Sequence, residues 1–456
     1  MLIKTASFTK LGKDFFRVFI FVTTIEYTIS GRIDYMGQRK KVIIIGGGFG
    51  GIFTARKLAN HNIDVLLIDK QNHHLFQPLL YQVAAGILSP ENVAIPLRLV
   101  FADNKNVKVR MEEVLNVDRS AQKVVTKENE YFYDFLVIGT GSTYNFFGHN
   151  EWAKHVFTLK TLAGALKLKN HIQTQFERAL ITKDSAEKER LLTFAIVGAG
   201  PTGVEMAGII SEIAKKFTQE ESAIKFQDIK VNLIETAERP LAAFSTYLSD
   251  YSVQVMHKLG IQVKLNTTVE EIQHNYIKTS EGEIHSNTII WAAGVLGVGA
   301  ANLLNILKPA RGNKVTVNEY LNLPDDDKVF VIGDTAELMH NDRPLPGLGS
   351  VAKQQGIYLG RALRKIVRGE DRREIKPFKY EDYGIMAIIG KRAAVAELPL
   401  VHLQGAPAWI LWGLVHLLLL IGFRNRAIVL FDWVWTYLAG NYSSRVINQV
   451  NLNCPH

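Results

Sequence analysis

Cysteine is almost missing from this chain of 456 residues: there is one, Cys454. A single thiol excludes an internal disulfide framework, a CxxC redox pair and a cysteine-liganded metal cluster. It is compatible with a reducing compartment. Zinc knuckles, RNA-binding signatures and clustered basic stripes are also absent, so the net charge of +9 is not read as a nucleic-acid footprint. An anionic membrane surface is the partner left for it. Long low-complexity stretches and solenoid-period repeats do not occur. What is plentiful is apolar sequence, 47% against 21% charged, enough for two or three domains with full cores.

Residues 1–38 differ from the rest. "DFFRVFIFVTTIEYTIS" carries an apolar core of about nine residues behind basic ones, without a convincing small-residue cleavage site. A poorly ordered, dispensable leader is expected, with Met36 as an alternative start. From Lys41 the rhythm is βαβ. "KVIIIG" and "DVLLID" are continuous apolar runs of the kind buried parallel strands show, and "DFLVIGTGS" (Asp134–Ser142) is a third. "FAIVGAG" and "VNLIET" repeat the pattern, and "TIIWAAG" and "KVFVIGDTA" end at glycines. After about Pro377 the texture turns β-prone, then apolar and Trp-rich.

Gly46, Gly48 and Gly51 satisfy GxGxxG between a strand and a helix. Such a turn lets backbone N–H groups approach a pyrophosphate, which the helix N-terminus then favours. Asp69 ends the next strand, 23 residues after Gly46, where a carboxylate accepts from ribose hydroxyls. Asp334 in "FVIGD" fits either a ribityl or phosphate contact or a plain helix N-cap. Gly198, Gly200 and Gly203 form a second turn, and Glu235 closes its following strand. A carboxylate there accepts from a 2′-OH and repels a 2′-phosphate, which favours NADH over NADPH. Arg239 either softens that preference or is simply solvated. Glu205, read as lying in the first turn of the helix, is either an acid favoured by the helix dipole or a group near the nicotinamide.

Two such turns, then "TGS", "AAG" and "GD" in this order, resemble the two-dinucleotide flavoproteins, whose members include glutathione reductase. The resemblance implies non-covalent FAD on the first unit and NADH on the second, with Gly141 and Gly294 beside the cofactors and Glu205 near flavin and nicotinamide. The implied architecture is α/β, with two Rossmann-like dinucleotide-binding domains. Residues 39–155 and 311–376 would form the FAD domain, 156–310 the NADH domain, and 377–456 a helical membrane-anchoring segment. Two nucleotides in one chain imply hydride transfer between them, chemistry the cofactors carry.

The acceptor follows from the missing thiols. Disulfide reductases and sulfide:quinone reductases use active-site cysteines, and none lies near either turn. "GSVAKQQGIYLGR" (Gly349–Arg361) resembles the AxxQQG-like segment of type II NADH dehydrogenases. That resemblance puts Ala352, Gln354 and Gln355 on the flavin's quinone side, with Ser350 where the family often has Gln. "NHHLFQPLLYQVAAG" (Asn72–Gly86) resembles that family's lining of the flavin and quinone tunnel, though core packing accounts equally well for its apolar residues. Trp409, Trp412, Trp433 and Trp435 crowd the last 50 residues, as an interfacial aromatic belt does. "APAWILWGLVHLLLLIGF" (Ala406–Phe423) has 18 residues, at the short limit for a span of about 20. "RNR" then leads to "AIVLFDWVWTYLAG", which is too short to span and carries Asp432. The two successive short apolar helices with Arg424, Arg426 and Arg445 beside them read as a monotopic anchor meeting anionic headgroups; a buried oligomer interface is the alternative.

The expected protein is a respiratory NADH:quinone oxidoreductase that does not pump protons, a homodimer by resemblance, on the cytoplasmic face of a bacterial inner membrane. Its rivals are a soluble NADH oxidase or ferredoxin-type reductase, and a membrane-docked NAD(H) sensor without turnover. No metal is expected.

Overall fold

The computed structural model describes residues 39–439 together with 446 and 447; the leader, Arg445 and Cys454 lie outside the described residues. In chain order the elements that position the site begin with β1 (Lys40–Ile45), α1 (Phe49–Leu58), β2 (Ile63–Asp69), β3 (Val107–Met111) and β4 (Phe135–Ile138). The second unit contributes β5 (Thr193–Val197), α2 (Pro201–Glu220), β6 (Lys230–Ile234), β7 (Ile261–Lys264) and β8 (Thr288–Trp291). The chain then returns through β9 (Asn322–Leu323), β10 (Asp326–Val331) and α3 (Gly349–Val367). It closes with β11 (Ile385–Gly390), β12 (Ala393–Glu397), β13 (His402–Gln404), α4 (Ala406–Leu419) and α5 (Phe423–Ala439).

The first sheet runs β9-β10-β4-β1-β2-β3, parallel except at the β9–β10 edge. Its strands come from both sides of the second unit. That unit has its own parallel sheet, β7-β6-β5-β8. β4, β5 and β8 are buried at every residue, as is β1 after its two lysines, so these strands show near-continuous apolar sequence and no alternation. Both units turn in the same way at the C-terminal strand ends, where parallel α/β sheets bind ligands. Gly46 N–H donates to Ile68 O and Gly198 N–H to Ile234 O, each at 2.8 Å.

The antiparallel sheet β11-β12-β13 lies on α2 and fits closely because Gly208 has no side chain. A Cβ there would stand 1.8 Å from Ile389 O. Trp412 and Val429 of the two C-terminal helices, and Leu420 between them, are buried in the same core as Phe76, Leu79, Leu80, Val204 and Met206. Their outer faces are bare: Phe423 is 86% exposed, Leu438 76%, Phe431 65% and Ile410 63%. The two successive short apolar helices expected there are present: the run Ala406–Phe423 supplies α4 and the turn after it, and α5 carries the second run. α4 stops at Leu419, and Gly422, in the left-handed region at φ +90°, turns the chain into α5. No helix among the described residues is long and apolar enough to cross a membrane.

α1 and α3 pack side by side through glycines. A Cβ on Gly356 would lie 2.3 Å from Gly50 O and 3.2 Å from Thr54 N, and one on Gly360 would lie 2.6 Å from Lys57 Cβ. Backbone cannot yield as a side-chain tip can, so overpacking here costs about 1–3 kcal/mol. Gly356→Ala is therefore expected to lower the thermal midpoint and weaken FAD retention. An unchanged melting curve for the FAD-loaded protein would show that the two helices are not held this closely.

Candidate active site

The two glycine turns are built alike. In the first, a Cβ on Gly51 would stand 1.9 Å from Gly46 O, and one on Gly46 would stand 2.2 Å from Gly139 O. In the second, a Cβ on Gly203 would meet Gly198 O at 1.8 Å, and one on Gly198 would meet Ala293 N at 2.8 Å. Gly46 and Gly198 are also left-handed, at φ +104° and +100°. These glycines hold strand, turn and helix together. The middle ones differ: a Cβ on Gly48 or Gly200 would meet no atom within 4 Å. That open face, at helix N-termini with no acid in the first turn, is what a pyrophosphate requires.

Each turn is clamped by the predicted acid. Asp69 Oδ2 accepts from Gly47 N at 2.6 Å, and its Oδ1 from Gln71 N at 2.6 Å. Glu235 Oε2 accepts from Ala199 N at 2.6 Å, and its Oε1 from Ala237 N at 3.0 Å. Each carboxylate thus ties its strand end to the glycine loop and keeps lone pairs for a ribose. Arg239 donates to Phe244 O at 2.7 Å and Ala242 O at 2.9 Å, bracing its own loop.

Asp334 sits in the short turn Gly333–Thr335. Its Oδ2 accepts from Ser142 Oγ at 2.6 Å, and Ser142 Oγ accepts from Lys160 Nζ at 3.0 Å. Burial lowers the Lys160 pKa, and Asp334 opposes that shift. Gly141, at φ +75°, faces open space beside this group, whereas a Cβ on Gly294 would strike the Phe147 ring at 2.7 Å. Two buried atoms here lack partners, His74 Nε2 and Thr335 Oγ1. His74 Nδ1 donates to Gly47 O at 2.9 Å, which leaves Nε2 as a bare acceptor, and burial brings its pKa down to about 4. Open cradles, a polar chain and unpartnered buried atoms fit a dinucleotide such as FAD.

The paired glutamines are used differently from each other. Gln355 is buried, and its Oε1 accepts from Gly333 N at 2.7 Å, so it pins the Gly-Asp turn. Ala352, one turn earlier, brings its methyl to 3.4 Å from where a Gly333 Cβ would be. Gln354, expected on the quinone side, spends both ends of its amide on the Glu381 backbone, at 2.8 and 3.0 Å. Ser350 meets Tyr380 Oη at 3.3 Å. Both tie α3 to the segment leading into the C-terminal sheet, and the partners lie too far along the chain for local spacing to reveal.

Glu205 is the fifth residue of α2, a full turn in, rather than the first-turn acid read from the sequence. The residue as a whole is half-buried, yet its carboxyl is enclosed by protein. Burial pushes its pKa up to about 8 against the opposing Ile388 N–H bond, so near neutral pH it is a carboxylic acid. Sequence reasoning missed the surroundings: Ile388 on β11, Gly208 that admits β11, and the Ser142–Lys160 pair. Gly208 was the one legible hint, a glycine inside a helix with no turn to make.

The profile of the family described as pyridine nucleotide-disulphide oxidoreductase matches residues 40–356, and that of the NDH2 C-terminal domain matches 383–441. The type II NADH:quinone oxidoreductase Ndh of Mycobacterium tuberculosis is 35% identical over 418 residues, 88% of this chain and 89% of that protein. Its paralogue NdhA is 36% identical over 419 residues, 89% of this chain and 88% of that one. The solved NDH2 of Plasmodium falciparum in complex with NADH has the same fold, with a TM-score of 0.82 and 22% identity over 90% of this chain and all of that one. Two profiles that together run from β1 to α5, with relatives covered over most of their length, place the chain among the type II NADH:quinone oxidoreductases of the pyridine nucleotide-disulphide oxidoreductase family.

Proposed function

We propose that this chain is a non-proton-pumping NADH:quinone oxidoreductase, with FAD held by residues 39–155 and 311–376 and NADH by 156–310. The observation that carries the reading is the pair of open, acid-clamped glycine turns, one on each parallel sheet. FAD, when bound, supplies the two-electron relay between nicotinamide and quinone. The chain's own residues bind and orient. Gly48 and Gly200 leave room for the pyrophosphates, Asp69 and Glu235 take the riboses, and Asp334 with Ser142 and Lys160 lines the flavin end. Glu205, protonated near neutrality, is the acid available at the nicotinamide helix. Gln354, Gln355 and Ala352 hold the wall on which quinone arrives.

Residues 377–456 dock the enzyme on one leaflet, on the cytoplasmic face of a bacterial inner membrane. The exposed apolar faces of α4 and α5 support this reading. So does the basic group beside them: Arg426 lowers the pKa of both Arg56 and Lys353 after their burial does, a mutual repulsion that anionic headgroups relieve. The homodimer implied by the resemblance belongs to the same proposal.

Purified protein with bound FAD is expected to lose its flavin absorbance on mixing with NADH and regain it on adding a short-chain quinone in the absence of oxygen. A flavin that NADH reduces but no quinone reoxidises would remove the oxidoreductase reading. Glu235→Gln with Thr236→Arg removes the charge that repels a 2′-phosphate and adds one that attracts it. The ratio of kcat/KM for NADH over NADPH should then fall by about tenfold or more; an unchanged ratio would take Glu235 off the ribose. Phe423→Ser with Phe431→Ser should release the protein from vesicles that contain anionic lipid while FAD stays bound. Undiminished flotation with those vesicles would show that the anchor lies elsewhere.

A further inference from the structure

The short helix Leu80–Ala84 stands where three parts of the molecule meet. Phe76 ahead of it packs on Phe49, the first residue of α1, with ring centroids 5.7 Å apart. Tyr81 lies edge-on to Trp412 of α4 at 6.4 Å. Glu205 of α2 is the carboxyl that acts on Tyr81 most strongly. A lipophilic quinone coming from the bare faces of α4 and α5 toward the flavin meets this wall.

Tyr81 and Gln82 are 4% and 5% exposed and hydrogen-bonded in a fixed direction. Trp433 Nε1 donates to Gln82 Oε1 at 2.7 Å. An indole N–H only donates, so it turns the amide oxygen toward α5 and the amide nitrogen toward Tyr81. Gln82 Nε2 then donates to Tyr81 Oη at 3.0 Å. The phenol oxygen is thereby committed as an acceptor, and among the described residues none accepts from its O–H. A buried hydroxyl held with its donor free is unusual, since such groups are nearly always satisfied. Burial, then Glu205, raises the Tyr81 pKa well above the usual phenol range, so the proton stays on the oxygen until an acceptor arrives.

We propose that Tyr81 donates its hydroxyl proton to the quinone carbonyl oxygen, and that Gln82 and Trp433 are positioning residues that aim it. The inference rests on the NADH:quinone reading. The net reaction, NADH + H+ + quinone giving NAD+ + quinol, consumes one proton beyond the hydride, and this is the proton assigned. The Tyr81 O–H bond breaks as the quinol O–H bond forms. The phenolate then regains a proton from solvent. The arrangement also makes the donor depend on the docking helix, since the group that orients Gln82 belongs to α5.

The test follows flavin reduction by NADH and reoxidation by a short-chain quinone separately, by anaerobic stopped flow in H2O and D2O. Tyr81→Phe is expected to slow reoxidation by about a hundredfold, the lower end of what losing a positioned acid costs, and to change the solvent isotope effect on that phase. The slowing falls on reoxidation rather than on reduction. Trp433→Phe keeps an aromatic ring in the packing but releases the amide; it should slow reoxidation by a smaller factor and keep the isotope effect. A Tyr81→Phe enzyme with the parent's reoxidation rate and isotope effect would overturn the proposal. If that variant does not retain flavin, a Trp433→Phe enzyme reoxidised at the parent's rate overturns it instead. Failure of the parent itself to be reoxidised by any quinone would strike the oxidoreductase reading rather than the role of Tyr81.

Discussion

A peptide carbonyl and the helix that follows it approach each other at Gly51 and again at Gly203 to distances at which no Cβ could stand. Everything else in the two units is arranged around these approaches. They bring the strand end, the turn and the helix N-terminus into one plane of donors, and they oblige the next strand to end close by. Asp69 and Glu235 complete the arrangement by accepting from the second residue of each turn. The carboxylate proposed to read each ribose therefore also braces its loop.

The C-terminal segment extends this economy of contact. β11 lies on α2 across Gly208, and α4 and α5 send Trp412 and Trp433 against the core around Leu80 and Tyr81. Asn92 Nδ2 donates to Asp432 at 2.7 Å and Asn425 Nδ2 to Glu91 O at 3.2 Å. α5, with its greasy outer face, is thus fastened to the segment around Glu91 and Asn92 by two polar hooks. A helix that only floats on lipid has no use for such hooks; one that must hold a fixed place beside a redox site does.

The glycine turns, their acids and the flanking strands were legible in the sequence because each rests on a local requirement: positive φ, close approach, or an apolar run of fixed length. The Gly-Asp turn was half legible: Asp334 satisfied two local motifs, and its partner Ser142 lies far away along the chain. Gln354 and Gln355 look identical in sequence and do different work, one on the Glu381 backbone and one on Gly333. That difference is decided by the phase of α3 against its neighbours, which spacing alone does not carry. Glu205 was visible as an ionisable group within the motif, but its burial comes from β11, nearly two hundred residues later. The division into α4 and α5 was legible, since Arg424, Asn425 and Arg426 interrupt the apolar sequence just after Gly422.

The hydrogen bond from Ile388 to Glu205 crosses a boundary that sequence families draw elsewhere. The profile covering the nucleotide folds stops at 356, and the C-terminal profile starts at 383, yet the strand that tempers this acid belongs to the second. In terms of inheritance, the two parts cannot be exchanged between homologues as independent modules. A grafted C-terminal segment whose β11 sat slightly differently would change the acid's proton affinity while touching neither nucleotide. Its signature would be a displaced pH profile in a chimera whose cofactor binding is normal.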